Sequence, residues 1–411
     1  MARQPTSIRD INQLRILELL RYGPGMSRAE IVRQSGLGKA TVSTIVADLL
    51  AAGVVSEDET DIQVTSIGRP PVPLKINGAA RMAIGVELTG SQCLAALTDL
   101  YAEPLRFVSY PMLESSLESS LECVTRAVRE LLEGQDAAKL LGVGVGVPGP
   151  VDADHLRVIQ AENIGWTDVP FGAMLQQRIS KPVMVVKRQA AGALGEYWHG
   201  AGIGKPSLLY ISVGIGIGSG MVVRGDLYEG TSGSAGEIGH ITIDPDGQRC
   251  KCGNLGCLET FASSPAVAAR TRQLIKGGRT SALVESSKGV LESITSSMVF
   301  DAAVRGDALA GEVVQEAARH LGIGVATAVN LLNPSMVVIG GDVLGVGELF
   351  LQPLRDVVRC RSFSISCAAA EIVLSPLGHR AAAIGAATLA IDRFFTLVDP
   401  VSEVRCCNPD M

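Results

Sequence analysis

The sequence predicts an α/β protein in two parts, an N-terminal winged helix-turn-helix followed by a duplicated, bilobal α/β domain. Three observations carry this. Apolar residues recur at helical spacing over the first stretch of the chain, interrupted by turn residues. From about residue 80, Val/Ile/Gly-rich strand text alternates with Ala/Leu-rich helix text. One strand–hairpin–strand pattern also occurs twice, at an offset of 127.

Residues 8–22 read as a helix with Leu14, Ile16, Leu17 and Leu20 on or near one face, ended by Gly23-Pro24-Gly25. Ser27 starts a second helix, with Glu30 three residues on completing a capping box. Ser35-Gly36-Leu37-Gly38 turns the chain into a third helix, on which Val42, Ile45, Val46, Leu49 and Leu50 follow the i, i+3, i+4, i+7, i+8 spacing. Two short helices, a tight turn and an amphipathic third helix make a helix-turn-helix. The following text has two extended pieces around an acidic tip, which predicts a β-wing leaving through Gly68-Arg69-Pro70-Pro71. In the duplicated part, Val86 falls on Val213 and Asp99-Leu100-Tyr101 on Asp226-Leu227-Tyr228. Two copies of one β-meander, each followed by helices, predict two similar lobes facing a cleft.

Composition narrows the function. With 411 residues, 47% apolar and only 4% aromatic, the chain builds large aliphatic cores. A net charge of −6 excludes a general nucleic-acid polycation, whereas residues 1–56 hold seven Arg/Lys against four Asp/Glu, so DNA contact must be local. No apolar run suits a membrane span or a signal core, and a soluble cytoplasmic protein is expected. Of nine cysteines, Cys250, Cys252 and Cys257 crowd together. With His240 they offer three thiols and an imidazole within 18 residues, the donor set of a closed structural zinc site with no open position for a catalytic water. Glycines at 247, 253 and 256 let the backbone wrap the ion. Cys406 and Cys407 in the tail suggest no role.

Segment 236–260, with its G-E-x-G-H and C-x-C-G-x-x-G-C-x-E blocks, resembles the signature of the ROK proteins (repressors, open reading frames and kinases). GVGVGVPGPVD (142–152), NIGW (163–166), the 208–240 stretch, NPSMVVIGG (333–341) and GHRAAAIGAA (378–387) resemble further family blocks in family order. The helix-turn-helix ending in Gly-Arg-Pro-Pro is similar to the N-terminus of the repressor branch, which includes xylose and N-acetylglucosamine repressors. The resemblance implies an actin-like, ribonuclease-H-like sugar-kinase fold. It implies a head at 1–78, a first lobe at 79–200 with 380–411, and a second lobe at 201–379 carrying the zinc loop. It also implies that Glu237, His240 and Glu259, with Asn163, contact an effector sugar. This is chemically sensible, since a histidine with one nitrogen on zinc presents the other to a sugar oxygen; the alternative is that both glutamates only support the zinc loop.

The chain departs from the kinase pattern at three places. The first phosphate loop reads Glu87-Leu88-Thr89-Gly90-Ser91, and the second reads Gly214-Ile215-Gly216. The block that carries the catalytic aspartate reads Lys187-Arg188-Gln189-Ala190, which puts Arg188 at the position of the base. A permanently protonated guanidinium accepts no proton, so the expectation is a non-enzyme. Two cations there fit an anionic effector, a sugar phosphate or sugar acid. Alternatively, Arg188 pairs with Glu237 or Glu259 and closes the site. Against DNA, the expected readers are Lys39, Ala40, Thr41, Ser43 and Thr44, with Arg28 and Arg33 on phosphates and Arg69 in a narrow A·T-rich minor groove. The expected partners are a palindromic double-stranded operator, a sugar or sugar-phosphate effector, and a second copy in a homodimer or dimer of dimers. A sugar kinase, or a regulator governed by a protein partner, are the rival readings.

Overall fold

The computed structural model describes residues 8–22, 25–57, 72–112, 114 and 116–397. The expected wing tip with Arg69, and the tail with Cys406 and Cys407, lie outside the described residues, as does the side chain of Leu14. Contacts divide the chain into two compact units. The first comprises 1–148, 154–186 and 386–411, and the second 149–153 and 187–385.

The first unit begins with α1 (Ile8–Tyr22), β1 (Met26–Ser27), α2 (Arg28–Ser35), α3 (Lys39–Ala51), β2 (Val55–Glu57) and β3 (Pro73–Ile76). The Ser27 hydroxyl accepts from the Glu30 N–H and Glu30 Oε2 accepts from the Ser27 N–H at 2.8 Å, completing the capping box. These bonds hold the Glu30 carboxyl below the usual range. Gly36 ends α2 at φ 69°, a left-handed conformation that frees the chain to turn into α3. α3 buries Val42, Ile45, Val46 and Leu49 and leaves Lys39, Ala40, Thr41, Ser43 and Thr44 exposed. β2 pairs antiparallel with β3, as a wing requires, and β3 also pairs with the two-residue β1.

The same unit continues through β4 (Met82–Leu88), β5 (Gln92–Thr98), β6 (Pro104–Pro111), α4 (Leu117–Leu132), β7 (Leu140–Val147), β8 (Val158–Ala161), β9 (Trp166–Val169), α5 (Phe171–Ile179) and β10 (Val183–Lys187). Its five-stranded sheet runs β10-β7-β4-β5-β6, and β8 pairs with β9 apart from it. The core of the head is continuous with that of the first sheet. Ile16, Leu17, Leu20, Ile45, Val46, Leu49, Leu74 and Ile76 form one apolar cluster with Ala83, Leu100, Ala387, Ala390 and Ile391. Tyr101 donates its hydroxyl to the Ile76 carbonyl at 2.8 Å, and Arg21 is ion-paired with Asp392. The head is therefore packed onto the first sheet rather than tethered to it.

The second unit holds α6 (Arg188–His199), β11 (Ser207–Val213), β12 (Ile217–Val223), β13 (Asp226–Leu227), α7 (Glu259–Ala262), α8 (Ser264–Lys276), α9 (Leu283–Ser286), α10 (Ser296–Val304), α11 (Ala308–Leu332), β14 (Met336–Gly341), α12 (Glu348–Arg361), α13 (Ser364–Ala369) and β15 (Glu371–Leu374). Its sheet, β13-β12-β11-β14-β15, repeats the first: an antiparallel meander, then two more strands beside its opening strand. The two hairpins stand 125 residues apart, strand for strand, so the alignment at 127 is displaced by two. A slip of two leaves every side chain on its own face of the sheet, which is why the pattern still showed. α6 groups with this unit because it packs on β11 and β12: a Cβ at Gly192 would touch the Tyr210 ring and one at Gly220 the Gln189 backbone. α14 (Ala381–Leu397) crosses from one unit to the other. Within the second unit it meets α6 backbone to backbone, for a Cβ at Gly385 would lie 1.8 Å from the Ala191 carbonyl oxygen. Among the described residues no helix is long and apolar enough to cross a membrane.

Leu49→Ala, which empties a fully buried site in the shared core, should lower unfolding free energy by about 2–5 kcal/mol in denaturant titration. Thr44→Ala on the exposed face of the same helix should change it by less than about 0.5 kcal/mol.

Candidate metal centre and effector site

The 236–260 loop is built around four donors. A single helical turn at Ile238–His240 delivers the imidazole. The Cys250 N–H donates to the Asn254 carbonyl at 2.8 Å, and short antiparallel bridges join Thr242 to Cys257 and Arg249 to Leu255. Gly256, at φ 61°, runs so close to Asp244 that a Cβ would stand 1.5 Å from its carbonyl oxygen. This folding gathers His240, Cys250, Cys252 and Cys257 so that their ligand atoms all lie within 4.8 Å of one another. Cys250 Sγ is 3.7 Å from His240 Nδ1, and Cys252 Sγ is 3.7 Å from Cys257 Sγ. A tetrahedral ion with metal–sulfur bonds of about 2.3 Å sets its donors about 3.8 Å apart, so the cluster fits one. Burial and the neighbouring thiols push Cys257 up to about 12, while the Asn254 N–H draws Cys252 down. A cation at the centre supplies the charge such crowded thiolates lack.

The donor cluster fixes what flanks it. With Nδ1 turned to Cys250, His240 directs Nε2 toward Glu237, 4.0 Å from Oε2. Glu237 Oε1 accepts from Lys187 Nζ at 2.5 Å, and Lys187, buried at the end of β10, also donates to the Ala235 carbonyl at 3.1 Å. Lys187 is thus a cation that meets Glu237, one of the two carboxylates, with Glu259, that the closed-site reading offered to Arg188. Lys187 is the deeper of the two because its chain ends a buried strand, whereas Arg188 opens α6 and reaches the Ser212 hydroxyl at 3.5 Å. Glu259 opens α7 and accepts from the Ile217 N–H at 3.1 Å. Lys187, Arg188, Glu237, His240 and Glu259 all belong to the second unit; Asn163, exposed in the turn Glu162–Ile164, belongs to the first.

The degenerate turn Gly214-Ile215-Gly216 follows β11, with Ile215 58% exposed. Beside Gly214 stands the Asp342 carboxylate, which accepts from Ser264 Oγ at 2.6 Å. A carboxylate there repels a phosphate, and no sequence motif announced it. Glu196 was also unannounced. Fully buried, it accepts from the Ala201 N–H at 3.1 Å and from the Ser375 hydroxyl, tying the end of α6 to the loop after β15. Burial raises its carboxyl above the ordinary value. On the head, Arg28 is paired with Glu57 at 2.9 Å and Arg33 lies 3.6 Å from Glu30.

The chain is similar to known proteins over most of its length. The profile of the ROK family matches residues 83–393, and that of the MarR family residues 9–61. A putative xylose repressor of Caldicellulosiruptor sp. (strain Rt8B.4) is 34% identical over 96% of this chain and 98% of its own. The DNA-binding transcriptional dual regulator NagC of Escherichia coli (strain K12) is 31% identical over 93% of this chain and 92% of its own. Among solved structures, a ROK family transcriptional regulator, homolog of the E. coli MLC protein, aligns with a TM-score of 0.82 at 27% identity, covering 97% of this chain and 99% of that one. A ROK family glucokinase from Streptomyces griseus, in complex with glucose and AMPPNP, aligns with a TM-score of 0.69 at 32% identity over 76% of this chain and 99% of its own.

Gly256→Ala should collapse the donor geometry. Elemental analysis of the purified variant should find less than half the metal per chain of the native protein, and an unchanged metal content would refute the role given to this backbone.

Proposed function

The chain belongs to the ROK family, and we propose that within it the protein is a DNA-binding repressor of carbohydrate uptake and catabolism genes, relieved by a sugar or sugar-phosphate effector. The observation that carries this reading is the exposed N-terminal half of α3, where Lys39, Ala40, Thr41, Ser43 and Thr44 stand clear on a capped helix-turn-helix. A helix so presented enters the major groove with these side chains toward base edges and backbone. Arg28 and Arg33 exchange their carboxylate partners for phosphates on binding, and Arg69 reads an A·T-rich minor groove. The protein acts as a homodimer or dimer of dimers on a palindromic operator, two heads on two half-sites. The head is residues 1–78, and the two lobes are the remainder of the first unit and the second unit, with α6 in the second.

The metal is zinc, which suits three thiolates and one imidazole and leaves no open coordination position. His240, Cys250, Cys252 and Cys257 hold it, and its role is to fix the loop. The chain's own side chains bind the effector. Glu237 and Glu259 accept from sugar hydroxyls, His240 Nε2 donates to a sugar oxygen, and Arg188 meets an anionic group where the effector carries one. Because Glu237 already answers the Lys187 charge, that pair presents itself to the ligand as a near-neutral hydrogen-bonding unit. Effector binding favours one conformation of the sensor over another and lowers operator affinity by that differential preference.

A sugar kinase is the second reading, since the glucokinase likeness is substantial. Arg188 in place of a general base, Ile215 in the phosphate turn and the Asp342 carboxylate beside it all oppose phosphoryl transfer. A coupled assay with ATP and common hexoses should show no turnover above background.

Two measurements test the proposal. Lys39→Ala should weaken operator binding and reduce the salt slope by about 1, as expected for one phosphate contact, with Arg69→Ala also weakening binding at physiological salt. Isothermal titration with sugars and sugar phosphates should give saturable heat in one class that Glu237→Gln abolishes. Silence from both classes would remove the effector and favour control by a protein partner.

A further inference from the structure

Cys93 and Cys123 stand outside the metal centre and the effector site, in the first unit. Cys93 lies in β5, fully buried, opposite Tyr110 of β6 in the antiparallel register. Side chains opposite one another project to the same face of a sheet. The Tyr110 face is the one α4 covers. Arg126 of α4 lies 4.3 Å from the Tyr110 ring centroid, and the Tyr110 hydroxyl donates to Glu130 of the same helix. Cys123 precedes Arg126 by three residues and so shares its flank of α4. The register, the stacked guanidinium and the helical spacing together place the two thiols on the facing surfaces of β5 and α4.

The two sulfurs differ in kind. The bond to Cys123 and burial hold Cys93 far above the ordinary thiol range, as a protonated donor. That same bond, with the Arg126 charge nearby, draws half-buried Cys123 down to about 7. A cavity of about 690 Å³ runs along this helix, lined by Glu122, Thr125, Arg126 and Arg129, which brings solvent to the residues on both sides of Cys123.

We propose that Cys93 and Cys123 are a peroxide-oxidisable pair that closes a disulfide between β5 and α4. The Cys123 thiolate attacks one oxygen of hydrogen peroxide; an S–O bond forms, the O–O bond breaks, and hydroxide leaves and takes up a proton as water. The Cys123 sulfur is now a sulfenic acid. Cys93 sulfur then attacks it, the S–S bond forms, the S–O bond breaks, and hydroxide departs with the Cys93 proton as a second water. Two thiols and one peroxide yield one disulfide and two waters. The two thiols face one another from a strand and the helix that covers it, the placement a bridge between β5 and α4 requires. The joined strand leads straight to Leu100, part of the core shared with the DNA-binding head.

The test uses the full-length, metal-loaded protein. After treatment with stoichiometric hydrogen peroxide, peptide mass mapping should recover the Cys93 and Cys123 peptides joined, about 2 Da lighter than their sum, and separable by dithiothreitol. In Cys93→Ala the Cys123 sulfenic acid should persist and be trapped by dimedone. Alkylation of Cys123 by iodoacetamide should be half-maximal near pH 7 in the native protein and move upward in that variant, where the donor is gone. The proposal is overturned if Cys123 stays reduced while Cys360 or Cys367 reacts, or if it oxidises without ever joining Cys93.

Discussion

Four ligand atoms within 4.8 Å of one another set the conformation of the loop on which the sensor depends. Glu237 and His240 enter that loop on one side and Glu259 leaves it on the other, so their positions follow from how tightly His240, Cys250, Cys252 and Cys257 are drawn together. Besides the donors, the loop is held by two isolated bridges, by backbone bonds such as Ile243 and Gly256 N–H to the Gly256 and Gln248 carbonyls, and by Ile238, Ile241, Ile243 and Leu258 against the core. Backbone of this kind keeps one conformation when a cross-link or an ion removes the alternatives. The His240 orientation shows the consequence: one nitrogen faces the sulfurs, and the other therefore faces Glu237.

A second constraint ties the reader of DNA to the rest of the molecule. The head is too small to bury its helices alone, and it finishes its core with Ala83, Leu100 and the alanines of α14. A head fused in this way turns with the sheet beneath it, and the ion pair between Arg21 and Asp392 fixes its angle on α14. The start of α14 packs within the second unit and its later turns within the first.

Much of this was legible in the sequence wherever the signal was local. The capping box at Ser27 and Glu30 is a spacing of three, the α3 face is a helical period, and the metal cluster is a run of thiols around glycines; each needs only a few adjacent residues. What stayed hidden was set by partners far apart in the chain. Lys187 and Glu237 are 50 residues apart, and nothing near either one says which cation will reach the carboxylate. Asp342 meets Ser264 across 78 residues, and Glu196 meets Ser375 across 179. The two-residue strand at Met26–Ser27 exists only because Leu74 returns beside it. The duplication was visible but displaced by two residues, because alternation in a strand repeats every two and cannot distinguish such a slip.

A metal-fixed loop that senses a sugar should govern the DNA-binding head. Fluorescence anisotropy with a labelled operator, read across a panel of sugars and sugar phosphates before and after the metal is stripped by a chelator, tests it most directly. One effector should release the operator from the metal-loaded protein, and the stripped protein should still prefer operator to random DNA but no longer respond. Equal release with and without the metal, or equal binding to operator and random DNA, would contradict it.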